Sequence, residues 1–351
     1  MRGPAASSAG RSAAALALLG VQALAMACCA RPSAGEPGAP SAAGRPAPAL
    51  SVPAAPVASG PAEAATAASG AATAASGAAT AAARAVPPDT AAYPWHAGAA
   101  PGALGAADHL DERFPPPPGY ARVPLEPESF GAWLRRLPLA PPGTPVRAYD
   151  GELLRPGDGE HVAAVATLDV SPADLQQCAD AVMRLHAEWS WSRGRPEVSY
   201  RAASGTPLPF ARWAQGERPV LHGSRLDWEP QARASRDYRS FRKYLDAVFG
   251  WANTVSLARQ AKPVALDELR PGDFFILPGN PGHGVLVLDL ARAADGRRAV
   301  LLGQSYMPAQ SFHVIRPSRA ESWFVLDEQA GGVQTPFWPA PFPWTSLRRL
   351  D

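Results

Sequence analysis

Hydrophobic and polar positions fall into three regimes along the 351-residue chain. Residues 13–27 are almost uninterruptedly apolar. Residues 31–108 are mostly small, with no period of large apolar side chains. Beyond about residue 119, helix-like and strand-like periods alternate. Residues 130–137 predict a short helix, and residues 145–149 a strand that ends at the turn signal Asp150-Gly151. The Val- and Ala-rich run 161–170 reads as a buried strand. Ser171-Pro172-Ala173-Asp174 then supplies residues suited to opening a helix: a side-chain acceptor, a proline for the first turn and a carboxylate at the positive end. That helix is predicted to run to about Trp189, with Leu175, Cys178, Val182, Leu185 and Trp189 on its apolar face. Cys178 then sits in its second turn and points inward.

Residues 190–265 read as mixed structure, with a strand over 197–203 and a helix over 240–249 that aligns Phe241, Leu245 and Val248. A more regular pattern follows. Residues 269–273 form a turn, Phe274–Leu277 a strand and 278–282 a second turn. His283 opens the apolar run 284–290, Asp295-Gly296 fits a hairpin turn, and 299–306 returns as a strand. A helix followed by an antiparallel meander predicts an α+β domain.

Composition separates the regimes further. Residues 31–108 carry seven charged side chains and too little large apolar surface to offset the entropy of ordering. The unit Ala-Ala-Thr-Ala-Ala-Ser-Gly repeats across residues 64–82 with no Leu, Ile or Val to form a coiled-coil seam. This region is expected to be a flexible tether. Residues 109–351 balance 28 Lys and Arg against 27 Asp and Glu, so a nucleic-acid partner is disfavoured. Arg2 and Arg11 precede the apolar stretch as in an export signal, and that stretch is shorter than the roughly 20 residues of a spanning helix. Ala25-Met26-Ala27 suits ordinary signal-peptide cleavage, whereas Ala27-Cys28 suits a bacterial lipobox with Cys28 as the lipidated residue and the membrane as partner. The expected organisation is a signal peptide over 1–27, a linker over 28–115 and a globular domain over 116–351, exported to the cell envelope.

Cys28 and Cys29 sit at the processing site, which leaves Cys178 alone in the folded region. Cysteine hydrolysis needs a thiol near a helix N-terminus, an imidazole to take its proton and a polar group to orient the ring. Cys178, His283 and Gln304 supply these parts in chain order, with Gln176 or Gln177 as a side-chain donor to the oxyanion. The segments Pro271-Gly272-Asp273-Phe274-Phe275 and Gly282-His283-Gly284-Val285-Leu286-Val287 resemble those of papain-like cysteine peptidases of the NlpC and CHAP types. Gln176–Leu185, Arg212-Trp213, Pro281-Gly282-His283 and residues 304–310 resemble a bacterial family of unknown function, DUF4846, over roughly residues 119–345. The first resemblance implies a papain-like helix packed on an antiparallel sheet. It also implies an amidase or peptidase acting on cell-wall peptide, with Cys178 as nucleophile, His283 as base, Gln304 as orienter and Gln177 at the oxyanion.

Arg212 and Trp213 are candidate substrate contacts, and the tryptophans between 189 and 251 could line a glycan face. Each feature also has a plainer reading: a small buried thiol, a histidine bonded to backbone, an Arg-Trp surface stack, tryptophans in the core. The remaining histidines show no ligand spacing, so no metal is expected, and no glycine-rich cofactor loop is present in the sequence. The two functions to separate are a tethered cysteine hydrolase with no cofactor and a non-catalytic envelope module that binds peptidoglycan or peptide.

Overall fold

The computed structural model describes residues 88–97 and 103–351, so the expected export signal, Cys28 and most of the expected tether lie outside it. Among the described residues nine strands build one antiparallel sheet. They are β1 (Tyr120–Arg122), β2 (Val162–Val165), β3 (Lys262–Pro263), β4 (Phe274–Leu277), β5 (His283–Ala293), β6 (Arg298–Gln304), β7 (His313–Ile315), β8 (Phe324–Val325) and β9 (Leu347–Arg349). The order across the sheet is β3-β9-β4-β5-β6-β7-β2, with β1 added to β5 and β8 added to β6. The architecture is α+β, as the helix-then-meander pattern predicts.

Alternation along the central strands explains why both faces are covered. Phe275, Val285, Val287, Val300, Leu302 and Phe342 form one apolar layer. Phe274, Ile276, Leu286, Leu288 and Leu301 face the other way, into the core shared with the helices. A bulge between Val287 and Asp289 shifts the register of β5 against β6. Asp289 is fully buried and ion-paired with Arg122 of β1 at 2.6 Å and with Arg135 of helix α1 (Phe130–Arg135) at 2.7 Å.

The long helix α2 (Cys178–Ser192) begins six residues later than a cap at Ser171 would give. Asp174 does not complement a helix end. Its Oδ1 accepts from the Ala309 N–H at 2.7 Å and from Gln177 Nε2 at 3.0 Å. The cap is instead Gln177, whose N–H donates to Asp180 at 3.1 Å and whose side chain accepts from the Asp180 N–H. Cys178 is therefore the first residue of the helix. Further along, Arg184 is completely buried and bonds Glu188, Asp169 and the Gln176 side-chain oxygen Oε1.

Between α2 and β4 the chain adds two hairpins, Ser199–Arg201 with Pro207–Pro209 and Glu217–His222 with Arg225–Pro230, and helices α3 (Tyr238–Trp251) and α4 (Thr254–Gln260). The tryptophans there serve packing. Trp191 lies 4.6 Å from Phe241, and Trp213 is buried with Nε1 donating to Ser240. Tyr93 and Trp95, within the stretch that composition assigns to the linker, are also buried in the main core, where Trp95 packs edge-on to Trp133.

Candidate active site

The hairpin β5–β6 and the start of α2 converge at one end of the sheet. Gly282 occupies a position where any Cβ would lie 2.3 Å from Thr254 Oγ1, so the turn before His283 can pass there only as glycine. In an extended strand the Gly282 carbonyl and the Gly284 N–H point to the same edge. Strand β6 ends at Gln304, and just beyond it Ser305 Oγ donates to the Gln176 carbonyl at 3.2 Å. The N-terminus of α2 fills that gap. Cys178 Sγ donates to the Gly282 carbonyl at 3.9 Å, with the Gly284 N–H directed at the sulfur.

His283 projects from the same stretch of strand onto the face opposite α2. Its Nε2 lies 2.8 Å from Gln304 Oε1. Gln304 Nε2 lies 3.3 Å from His313 Nε2, and His313 Nδ1 lies 3.0 Å from the Ser311 carbonyl. Proton positions follow from one end of this chain. A carbonyl can only accept, so His313 Nδ1 carries hydrogen and, in the neutral ring, its Nε2 accepts. Gln304 must then present its amide hydrogen to His313 and its oxygen to His283. His283 Nε2 is consequently the protonated nitrogen. Nδ1 is left with a lone pair, buried and without a hydrogen-bond partner.

Burial favours the neutral form of both the thiol and the imidazole. Burial, helped by the Asp180 charge, pushes the Cys178 thiol up to about 12, while backbone N–H groups of Gly284, Ala179 and Cys178 oppose that shift. Burial pushes His283 down to about 4, against its hydrogen bond to Gln304 Oε1. Cys178 is 4 % exposed and His283 fully buried. The cover is aromatic: Trp338 stacks on the imidazole at 4.9 Å, Tyr306 stands edge-on at 4.9 Å, and Phe342 lies at 5.9 Å. Trp338 belongs to a strap, residues 334–341, that contains no regular element. Tyr306 Oη holds it by donating to the Phe337 carbonyl at 3.1 Å, and Gln334 Nε2 bridges the Thr335 and Trp338 carbonyls.

His283 and Gln304 are thus brought together, and Cys178 bonds the carbonyl of Gly282, one residue before His283, whereas the other expected site residues lie apart from them. Gln176 is committed to Arg184 and the Asp169 carbonyl, and Gln177 to its cap and Asp174. Their side chains are thus engaged elsewhere, whereas the Cys178 N–H, at the first position of the helix, is outside the helix ladder. Arg212 pairs with Glu217 and lies over Trp228, and Trp213 stacks under Arg218, all within the insertion. No group of three or more metal-ligating side chains occurs among the described residues. No helix of the described residues is long and apolar enough to cross a membrane. His313 and Trp338 escape a reading by sequence. The one signal for His313 is its register opposite Gln304 on adjacent strands.

Three imidazoles, His186, His283 and His313, are held down to about 4 by burial. Below the unfolded value of 6.5 the unfolded chain binds protons that the folded chain refuses, so stability falls as pH drops from 6.5 toward 4. Asp180, pushed up to about 8 by burial, and Glu188, raised by burial, work the other way, but His96 and Asp169, both lowered, add to the loss from the three imidazoles. Urea titrations at pH 7 and pH 4.5 should therefore differ by a few kcal/mol, with the acid sample weaker. Equal midpoints would contradict neutral burial of these rings.

Residues 110–349 match a family described as Domain of unknown function (4846). No curated protein and no solved structure matches the chain.

Proposed function

We propose, from the premise that the chain belongs to the DUF4846 family and that membership assigns no activity, a papain-like cysteine hydrolase of amide bonds in cell-wall peptide. In this reading it is exported and tethered through Cys28. The observation that carries the reading is the free Nδ1 lone pair of His283, its tautomer set by the Gln304–His313–Ser311 chain, one residue along the strand from the Gly282 carbonyl that the Cys178 thiol bonds at a helix start.

The chemistry follows from those atoms. His283 Nδ1 takes the Sγ proton as the thiolate adds to the substrate carbonyl carbon. The oxyanion develops against the Cys178 N–H at the positive end of α2. The imidazolium returns its proton to the departing amine, leaving a thioester that water hydrolyses with His283 again as base. Gln304 keeps the ring in the tautomer whose Nδ1 accepts. Substrate reaches the sulfur by displacing Trp338 and Phe337, and the arriving water and backbone contacts bring the thiol pKa down from its closed-state value.

A second reading, the non-catalytic envelope module, is favoured by the buried thiol and its high pKa. Iodoacetamide, which the thiolate attacks with loss of iodide, separates the two. We expect Cys178 to be alkylated in the full chain at neutral pH, as read by peptide mapping. Trp338→Ala should speed the reaction roughly tenfold by opening the strap, and His283→Ala should slow it. If Cys178 stays inert in both the native chain and Trp338→Ala, the hydrolase reading falls. Sedimentation with isolated peptidoglycan then tests the module.

A further inference from the structure

Several buried or half-buried arginines of this domain are matched by carboxylates: Arg122 and Arg135 by Asp289, Arg184 by Asp169 and Glu188, Arg349 by Asp273. Arg155, beside the candidate site, has no such partner among the described residues. It lies on the strand Leu153–Gly157, opposite Val146 of Gly143–Arg147. That hairpin is tied to the loop after β6, because the Tyr149 N–H donates to the Ala309 carbonyl and the Ser311 N–H to the Arg147 carbonyl. The Arg155 guanidinium carbon sits 4.2 Å from the centre of the Phe337 ring and 5.9 Å from that of Tyr306. Its Nε is buried and has no hydrogen-bond partner. Among the described residues no carboxylate comes within ion-pair distance of it.

Taking a guanidinium partly out of water without a counter-ion is costly, and stacking on an aromatic face returns only part of that. The stack also leaves the edge of the planar fork free, the geometry that grips a carboxylate through two parallel hydrogen bonds. Tyr306 lies within electrostatic reach of both Arg155 and the Cys178 sulfur, and its ring touches His283. Phe337, under the guanidinium, is part of the strap that covers His283.

We propose that Arg155 is an anion-recognition residue of the Cys178 site and that the substrate is an amide carrying a free carboxylate close to the scissile bond. This rests on Cys178 being the nucleophile. Arg155 does not take part in bond making. It fixes the acid group, and the aromatic strap closes over the segment between that group and the carbonyl.

The test uses two electrophiles of equal reach, N-iodoacetyl-glycine and N-iodoacetyl-glycinamide, on the full chain. Each rate at Cys178 is divided by the rate of the same reagent with free cysteine. We expect the acid to be preferred about tenfold at low salt, with Arg155→Met bringing the ratio near one and Arg155→Lys keeping part of it. A native ratio at or below one overturns the subsite and needs no variant to be folded. So does a ratio that Arg155→Met leaves unchanged. Either result leaves the nucleophile standing if both reagents still label Cys178. No labelling by either reagent, in the native chain or in Trp338→Ala, overturns the nucleophile together with the subsite.

Discussion

Truncating Asp289 to alanine is expected to weaken the fold by about 3–5 kcal/mol, because removing one member of a buried ion cluster leaves the others uncompensated. Asp289 is fully buried, and its two oxygens hold Arg122 and Arg135. Those arginines carry the links onward: Arg122 also donates to the Asp111 and Phe114 carbonyls, and Arg135 to the Val123 carbonyl. One carboxylate thus fastens β1, α1 and the turn at 111–114 to the middle of β5. Both arginines keep some contact with solvent, which relieves part of the loss and favours the lower end of the range. Urea unfolding of Asp289→Ala against the native chain measures it. A change below about 1 kcal/mol would mean that the cluster is no more than a surface pair.

The second large effect concerns the imidazole. His283→Ala should lower amide turnover by about 10²- to 10⁴-fold, the usual contribution of a positioned acid–base group. Gln304 gives the sharper comparison. Gln304→Leu leaves Nε2 without an acceptor and frees the ring to adopt the tautomer that protonates Nδ1, so the rate should fall without a change in the charge of the site. Gln304→Glu keeps an acceptor and adds a negative charge 2.8 Å from Nε2. Imidazolium is then favoured, the His283 pKa rises from about 4, and the acid limb of the rate profile moves to higher pH. A pH–rate profile for alkylation of Cys178 reads this directly. Identical profiles for the native chain and Gln304→Glu would remove Gln304 from the mechanism.

The meander was readable because apolar alternation and turn chemistry agree there: Phe274–Leu277 and the turns on either side fall where the pattern puts them. The start of α2 was not readable. Ser171-Pro172-Ala173-Asp174 carries the chemistry of a helix opening, but the Asp174 oxygen is claimed by Ala309, a contact 135 residues away along the chain. Tertiary structure overrode a local preference, and the result moved Cys178 to the position where its N–H is free of the helix ladder. Cys178, His283 and Gln304 could be picked out because their residue types are scarce or pointed. His313, Arg155 and Trp338 could not. A histidine in a short strand, an arginine in a hairpin and a tryptophan among prolines have ordinary local contexts, and only the sheet register and the strap bring them to one place. Tyr93 and Trp95 mark the remaining gap: large aromatics inside a small-residue stretch are a sign of burial that averaged composition hides.

Strand β9 has a consequence for the order in which the molecule can assemble. It lies between β3 and β4, with Leu347 opposite Phe275 and Arg349 opposite Lys262, and its Arg349 neutralises the wholly buried Asp273. A ribosome delivers Leu347 about 70 residues after Leu277, so β3 and β4 wait unjoined, with Asp273 lacking its arginine, while that stretch is made. Completion of the barrier between solvent and interior on that side therefore waits for the last strand of the sheet. A nascent chain halted before Leu347 should be a good client for holding chaperones and an easy target for proteolysis.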